Sequence, residues 1–417
     1  MCQLPLPDFL ASFCLPMKLK ENILIIGASA RHLAQSAKTA GLSPLAIDLF
    51  GDWDLGQIAK CQRVESLSKL DIEQLPPQFE SVKQFMICGG METRGEVVAK
   101  LASKFSFLGP QPIQLSRTQD PFLLNDVCLA NSIAFPAVRK FDDTVELTQM
   151  DCEWPKWLSK PLLGSGGHSI SLWNENTVPE NHFLQERING ISYSALFVSN
   201  HSGAKLLGIT RQLVGQPLAS KPFAYCGSVG PIQLHSTTEQ NIARAGDCVA
   251  EAFKLTGCFG IDFIVDEDAL PWLIEINPRI TASAEVLELA GCIKSIVGLQ
   301  IHSCSGSSVD LSATARAVVG KAIVYSDLDR TLQINDSLFE FLKSNSLQRD
   351  NFLNSAATQI SVADIPRIGT KIQPGHPIVS IFVTGETVDA TIVRLIEAVQ
   401  QTRETIKKLA DLVPASS

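Results

Sequence analysis

The sequence predicts a multidomain protein, with an α/β domain at the N-terminus and α+β segments after it. Three observations support this prediction. The chain has 417 residues, of which 45% are hydrophobic and 19% charged, and this size favours two to four domains. Apolar runs near the start alternate with a helical pattern. Later apolar runs follow one another across turn-like spacers, which favours antiparallel strands.

The alternating pattern fills the first part of the chain. An apolar run over 22–29 ends in Gly-Ala-Ser, a helix is predicted over 30–40, and a second strand follows over 44–48. Another strand, over 85–88, ends at a Gly-Gly turn. Buried strands that alternate with helices indicate a parallel sheet, so we predict a Rossmann-like, doubly wound domain over 1–110.

The first glycine turn differs from a dinucleotide-binding motif. Residues 27–31 read Gly-Ala-Ser-Ala-Arg and lack the G-x-G-x-x-G pattern that lets a backbone approach a pyrophosphate. Asp48 ends the second strand, where a ribose-binding acid would lie in such a fold. Without the glycines we favour a structural tight turn, and nicotinamide chemistry is the least favoured function.

The middle segment, 111–302, is predicted to be α+β. A helix is expected over 120–132, and strands and a glycine loop follow it. The apolar runs over 257–265 and 272–277 flank a turn-like spacer and predict a β-hairpin. A Ser- and Gly-rich stretch over 303–312 then marks a domain boundary.

The remaining segment, 303–417, is predicted to be a smaller C-terminal domain. It contains a Pro- and Gly-marked run over 363–385 and a predicted final helix over 387–412.

Composition limits the classes of function. The formal net charge is -8, and no dense Lys/Arg run is visible, so we expect no nucleic-acid partner. The 11 cysteines form no C-x-x-C pair, which disfavours a disulfide framework or a zinc site. No apolar run reaches membrane-spanning length and no signal peptide is evident, so the predicted location is the cytoplasm, away from membranes.

The predicted hairpin carries ligand-type side chains on one face. Glu275 and Asn277 are two residues apart on a strand and therefore project to the same side. Asp262 lies opposite them if the hairpin pairs as predicted. Two carboxylates and an amide oxygen suit Mg²⁺, which takes its remaining ligands from phosphates and water. A solvated strand face is the alternative, but the neighbouring Ile261, Phe263, Ile274 and Ile276 are apolar, so the opposite face is expected to pack a core.

Two cations complete the set of candidate residues. Lys160 lies on a predicted strand before the glycine-rich loop 164–167, whose backbone N–H groups could approach phosphate oxygens. A hairpin with a flexible tip is an equally good interpretation of that loop. Arg279 follows Asn277 by two residues, and its planar fork suits a phosphate or carboxylate, although a surface arginine is common.

Four motifs, in their order along the chain, resemble the ATP-grasp superfamily. They are the Lys160 strand with its glycine loop, the segment 185–190, Gly-Ile-Asp-Phe over 260–263 and Glu-Ile-Asn-Pro-Arg over 275–279. The sequence is also similar to that superfamily's uncharacterised branch of ligases related to biotin carboxylase. The resemblance covers most of the chain. It implies a Rossmann-like domain before the ATP-grasp domain and a small carboxylase-like domain after it.

The resemblance also implies roles for individual residues. The ATP-binding roles fall on Lys160 for the phosphates, on Gly164, Ser165, Gly166 and Gly167 for a mobile lid, and on Glu186, Arg187 and Ile188 for adenine. The magnesium (or manganese) ligands are implied to be Asp262, Glu275 and Asn277. The implied catalytic residues are Arg279, Lys160 and, as a weaker candidate, Arg211.

Three positions depart from the family pattern. The family often has Asp-Lys early in the ATP domain, but residues 119–121 read Gln-Asp-Pro, and Arg117 is a conceivable substitute. The ribose-binding acid expected after Gly190 is replaced by Ile and Ser. Biotin carboxylases carry a glutamate four residues after the motif arginine, and Ser283 stands there instead.

The third departure, Ser283, disfavours bicarbonate activation and favours one chemistry among several that the resemblance leaves open. We expect an ATP- and magnesium-dependent ligase that joins a small-molecule carboxylate to an amine through an acyl phosphate and releases ADP and phosphate. The alternatives are a bicarbonate-using carboxylase or carbamoyl-type enzyme and a non-catalytic ATP-binding protein. Since dimers are common in the family, a homodimer is also left open.

Overall fold

A computed structural model describes residues 21–140, 156–164, 166–167, 169–173, 179–200, 203–307, 314–354 and 360–413. The strands within these ranges are β1 (Asn22–Gly27), β2 (Ser43–Asp48), β3 (Lys60–Arg63), β4 (Gln84–Ile87), β5 (Ser106–Phe107), β6 (Val138–Arg139), β7 (Trp157–Pro161), β8 (Ser171–Leu172), β9 (His182–Glu186), β10 (Ile191–Asn200), β11 (Gly203–Val214), β12 (Tyr225–Gly230), β13 (Gly257–Val265), β14 (Pro271–Asn277), β15 (Val318–Tyr325), β16 (Thr331–Gln333), β17 (Ser361–Ala363), β18 (Lys371–Ile372), β19 (Pro377–Gly385) and β20 (Asp411–Val413).

The helices lie between and around these strands. They are α1 (Arg31–Thr39), α2 (Trp53–Ile58), α3 (Gly95–Lys104), α4 (Pro112–Thr118), α5 (Pro121–Ala130), α6 (Ser236–Phe253), α7 (Ser283–Leu289), α8 (Ile296–Cys304), α9 (Asp336–Ser344) and α10 (Val388–Leu409), with short 3₁₀ turns at Leu67–Lys69, Pro77–Phe79 and Arg349–Asn354. None of the helices in the described ranges is both long and apolar enough to cross a membrane.

The N-terminal sheet is parallel, as predicted. Its strand order is β3-β2-β1-β4-β5, and β1 pairs with both β2 and β4. Asp48 at the end of β2 is fully buried and accepts hydrogen bonds from the backbone N–H groups of Ala30, Phe50 and Gly51. This carboxylate therefore closes the turns around α1 and β2, which gives it a structural role.

An antiparallel sheet of eight strands forms the centre of the molecule. Its order is β14-β13-β10-β11-β12-β15-β19-β17. The predicted hairpin of β13 and β14 is confirmed and lies at one edge. Strands from the C-terminal segment continue the same sheet, because β15 pairs with β12. The boundary at 302/303 remains a prediction, since the hydrogen-bonded sheet runs across it.

Two smaller antiparallel sheets complete the described structure. One has the order β6-β9-β7-β8 and carries Lys160 on β7. The other has the order β18-β16-β20. The prediction of a final helix through residue 412 is wrong at its end, because the chain becomes extended at Ala410 and Asp411 pairs with Gln333.

Both faces of the central sheet are buried. On one face Phe197 and Phe259 stack with ring centroids 5.2 Å apart, and α6 packs over them through Val249 and Phe253. On the other face the sheet shares a core with α1 and α7, where Leu33 is one of the buried residues. Each fully buried large apolar side chain contributes about 1.5–3 kcal/mol, so this second core holds the N-terminal domain against the central sheet.

Candidate active site

A cavity of about 610 Å³ lies between the four-stranded sheet and the central sheet. Strands β7 and β9 line one side, and β10, β11, β13 and β14 line the other. This volume is typical of a site for a small molecule or cofactor. Most of the predicted site residues line this cavity: Lys160, Gly166, Gly167, Glu186, Arg187, Ile188, Arg211, Asp262, Glu275, Asn277 and Arg279.

The acidic edge of the cavity is built by the hairpin of β13 and β14. Asp262 pairs directly with Glu275, and Gly260 pairs with Asn277. The Asn277 Nδ2 atom lies 3.4 Å from both Asp262 Oδ2 and Glu275 Oε1, so the three side chains converge. Burial, and then the nearby charge of Glu275, raise the pKa of Asp262 to about 7.

The prediction that Ile274 packs into the core is wrong. The pairing register shifts between Asp262 and Phe263, whose partners are Glu275 and Leu273, so Ile274 is the extra residue of a β-bulge. Leu273 and Ile276 are therefore in the core, and Ile274 lines the cavity.

The acidic edge fits a divalent cation that takes other ligands from a bound molecule. Within the described residues, Asp262 Oδ1 is buried without a hydrogen-bond partner, and no group of three or more His, Cys, Asp or Glu side chains forms a metal cage. Mg²⁺ usually binds through one or two carboxylates plus phosphates and water. Asn277 turns its NH₂ toward the carboxylates while its Oδ1 accepts a hydrogen bond from Arg279, so it would coordinate a metal through oxygen only after an amide flip.

Lys160 projects from β7 at the opposite wall. Its side chain is buried, and Nζ donates to Gln185 Oε1 at 3.0 Å. Burial lowers its pKa, although the charges of Glu275 and Asp262 act in the opposite direction. The two strands β7 and β9 thus hold a lysine in a fixed orientation toward the acidic edge.

The segment after β9 connects the small sheet to the central sheet. The backbone N–H of Glu186 donates to Ala137 O at 2.8 Å, and that of Arg187 donates to Lys156 O at 2.7 Å. These two N–H groups cannot also donate to a base. Gly190 adopts a φ of 158°, and a Cβ there would lie 2.3 Å from Val265 O, so glycine is required where the chain crosses.

The glycine loop meets the segment before β12. Gly167 has a φ of 72°, and a Cβ on it would lie 1.9 Å from Phe223 O. Gly166 accepts a hydrogen bond from the Tyr225 N–H at 3.0 Å. Gly164 lines a smaller neighbouring cavity. Ser165 lies outside the described residues, and its predicted role stays a prediction.

Arg279 contacts a residue of the N-terminal domain. Its Nη2 donates to Glu92 Oε1 at 2.7 Å and to Asn277 Oδ1 at 3.2 Å. Burial alone would raise the pKa of Glu92, but the charge and hydrogen bond of Arg279 outweigh it and lower the pKa. Glu92 follows the Gly-Gly turn after β4, and Gly89 also lies against the guanidinium.

Arg211 reaches the cavity from β11. Its Nη1 lies 3.6 Å from Asp389 Oδ1 in the first turn of α10, and that aspartate side chain is 90% exposed. A pair this exposed contributes about 0–1 kcal/mol, so Arg211 is not strongly committed to it and is available to a ligand.

The segment that departs from the family's Asp-Lys pattern contains a helix cap, and its neighbour Arg117 points away from a nucleotide-binding role. Asp120 caps α5 by accepting from the N–H groups of Phe122 and Leu123. The Arg117 side chain is exposed and lies outside the described lining of the cavity, which disfavours it as a substitute for a nucleotide-binding lysine.

Several polar residues that line the cavity were missed by sequence reasoning. They are Gln212, Ser194, Ser228 and Tyr225. Each lies on a strand of the central sheet, and no motif marks them. Strand alternation would not have found them, because Gln212 is adjacent to Arg211, which also lines the cavity, and Tyr225 and Ser228 are three positions apart.

Comparison with known families identifies the central segment. Residues 123–283 match the family model of the ATP-grasp domain. The chain therefore carries an ATP-grasp domain. It is also similar to an uncharacterised protein of Methanocaldococcus jannaschii, with 21% identity over 286 residues that cover 64% of this chain and 70% of that protein.

Solved structures share the whole architecture. A biotin carboxylase from Campylobacter jejuni, in complex with beta-gamma-ATP, superposes with a TM-score of 0.71 and 13% identity over 93% of this chain and 95% of its own. An L-amino acid ligase from Bacillus licheniformis superposes with a TM-score of 0.66 and 16% identity over 95% of this chain and 99% of its own. Both likenesses extend the shared fold beyond the ATP-grasp domain to the flanking segments.

Proposed function

We propose that this protein is an ATP-dependent ligase that joins a carboxylate to an amine through an acyl phosphate. The observation that carries the proposal is the convergence of two carboxylates, Lys160 and Arg279 in one cavity of an ATP-grasp domain. Burial and the facing charge of Glu275 raise the pKa of Asp262 to about 7, so ionisation of Asp262 is costly without a cation. That arrangement favours a bound divalent ion with a polyphosphate substrate.

The chain's own residues would act by positioning and by charge stabilisation. Lys160, held by Gln185, would contact the nucleotide phosphates. Arg279 would steady the transferred phosphoryl group while the substrate carboxylate displaces ADP. Asp262, Glu275 and, after an amide flip, Asn277 would hold magnesium, which would supply positive charge beside the phosphates. An amine would then displace phosphate from the acyl carbon.

The surroundings of Arg279 favour ligation over bicarbonate activation. In the position where the family resemblance would place a glutamate, the Ser283 hydroxyl lies 2.7 Å from the Thr281 hydroxyl. The nearest following acid, Glu285, is buried between Arg31 and Lys321 and is not part of the described cavity lining. A serine hydroxyl is a poor general base for bicarbonate at neutral pH.

Loss of Glu275 tests the proposal. A screen of ADP release over amino acids and other carboxylate/amine mixtures, with mass detection of the adduct, first identifies the substrates. We expect Glu275→Ala to lower substrate-stimulated ATP turnover at least about 100-fold, because phosphate charge loses its counterion. Glu267→Ala, at an exposed position of the same hairpin, is the matched control and should retain turnover. Unchanged turnover in Glu275→Ala would contradict the assignment, and bicarbonate-dependent ADP release would favour a carboxylase instead.

A further inference from the structure

Glu92 is a buried carboxylate beside Arg279, and part of its hydrogen-bonding capacity is unused. Its side chain is 2% exposed and its Oε1 accepts from Arg279. The described residues offer Oε2 no hydrogen-bond partner, although this atom is shielded from solvent. A buried acceptor without a donor costs about 1–3 kcal/mol, or more when it is charged. The oxygen is therefore suited to a donor that a ligand supplies.

A small cavity adjoins this carboxylate. It has a volume of about 60 Å³, and Glu92, Gln119, Lys160, Glu275 and Asn277 are among the residues that line it. Because about 10–15 Å³ of such volume is enough for one water molecule, the space can hold a small polar group such as an ammonium group. Lys160, Glu275 and Asn277 also line the main cavity, so a group bound here lies beside the proposed reaction centre.

The charge of the lining favours a cation. Among its described residues, Glu92 and Glu275 are acidic and Lys160 is basic. The Glu92 carboxylate accepts from Arg279 through Oε1 and is also stabilised by the backbone N–H groups of Gly90 and Glu92, while Oε2 has no side-chain partner among the described residues. Arg279 also holds Glu92 in its ionised form. An ammonium group can donate to Oε2 of Glu92 and form an ion pair with it.

We propose that Glu92 binds the ammonium group of the amine substrate and that this substrate is a primary amine. The inference rests on the proposed ligase function and extends it to the second substrate. The bound ammonium loses one proton to water, and its nitrogen forms a bond to the acyl carbon. The bond from that carbon to the phosphate oxygen breaks, and phosphate leaves with the electron pair. The nitrogen then loses a second proton, and the protons end on phosphate and solvent.

A comparison of two nucleophiles tests this assignment. Hydroxylamine is largely uncharged at neutral pH and captures acyl phosphates as hydroxamates, whereas primary amines such as amino acids are protonated. Both are supplied with ATP, Mg²⁺ and the carboxylate that stimulates ADP release. In Glu92→Gln, we expect the ratio of amide to hydroxamate to fall about 10- to 100-fold, mainly through a higher KM for the amine. Glu96→Gln, an exposed change of the same kind in α3, should leave the ratio at its original value.

Other results would overturn the assignment. An unchanged ratio, or an equal loss of both products, means that Glu92 does not act on the amine. Weaker Mg²⁺ binding in Glu92→Gln would make it a metal ligand instead. If Glu92→Gln does not fold, Glu92→Asp is used instead. It keeps the negative charge but moves the carboxylate away from the amine by one methylene, so it too should lower the ratio of amide to hydroxamate. If the original protein forms no hydroxamate and releases no ADP with any carboxylate, the proposed function itself fails, which is a distinct outcome.

Discussion

At the scale of single residues, Asp262 is placed to bind a cation but destabilises the folded protein when it is ionised without one. Its Oδ1 is buried without a partner in the described structure, and Glu275 faces it across the hairpin. Its pKa is raised to about 7, first by burial and then by Glu275. Ionisation of Asp262 therefore costs free energy in the folded protein without ligands, and a bound cation would offset that cost.

A pH-dependent gain in stability should follow from Asp262→Asn. The unfolded pKa of an aspartate is about 3.9, so the stability of the original protein is lost as the pH rises from there through about 7. Asp262→Asn has no carboxyl group to ionise at this position, so it does not lose stability over this pH range. We expect its Tm without ligands to exceed that of the original protein at pH 8, by about 1 °C for each kcal/mol relieved in a chain of 417 residues, with a smaller difference at pH 5.

Addition of magnesium with ADP should reverse that order. The original protein should gain stability from the ligands, and Asp262→Asn should gain much less. Asp268→Asn, in the exposed turn of the same hairpin, is the control for the change of charge alone. A Tm for Asp262→Asn that lies below the original at pH 8, or an equal gain with ligands, would contradict the interpretation of this residue.

At the scale of elements, α7 connects three parts of the chain through one carboxylate. Glu285 accepts from Arg31 Nη2 of α1 at 3.0 Å and from Lys321 Nζ of β15 at 2.7 Å. Arg31 also pairs with Asp364 at 2.8 Å, close to the end of β17. Burial alone would raise the pKa of Glu285, but Arg31 and Lys321 hold it well below its usual range. The helix that follows the Arg279 motif is thus fixed between the N-terminal and C-terminal segments.

Removal of this charge should destabilise the molecule. Glu285→Gln removes a buried carboxylate from Lys321 and Arg31, and Arg31 keeps Asp364 as a partner, so we expect a cost near the lower end of the roughly 3–5 kcal/mol for a broken buried ion pair. We expect a lower Tm and a lower denaturant midpoint at pH 7 than for Glu397→Gln, an exposed change on α10. The difference should shrink in acid, because a carboxylate with a depressed pKa loses its stabilising effect as the pH falls through that value. Equal stability of Glu285→Gln and Glu397→Gln would show that the contacts of Glu285 with Arg31 and Lys321 do not hold these elements together.

The elements also show what the sequence could and could not predict. Alternation along β14 placed Glu275 and Asn277 on one face, and the turn-like spacer before β14 predicted the hairpin that brings Asp262 opposite them. The bulge at Ile274 was not predictable, since it depends on pairing between two strands. The contact of Arg279 with Glu92 spans 187 positions and depends on how the N-terminal domain packs.

At the scale of the whole molecule, the N-terminal domain contributes directly to the candidate site. The predicted order of a parallel α/β domain followed by antiparallel sheets is confirmed. The boundaries at 110/111 and 302/303 remain predictions, and the C-terminal strands share the central sheet. Composition alone could not reveal that sharing, because the pairing of β12 with β15 joins strands separated by about 90 residues of sequence.

The most direct test of the central claim follows the oxygen of the substrate carboxylate. The acid that stimulates ADP release is labelled with ¹⁸O in its carboxylate, and the phosphate products are analysed by mass spectrometry. An acyl phosphate intermediate requires one labelled oxygen to pass into inorganic phosphate, with ADP as the other product. Unlabelled phosphate, or label found in AMP, would contradict the account.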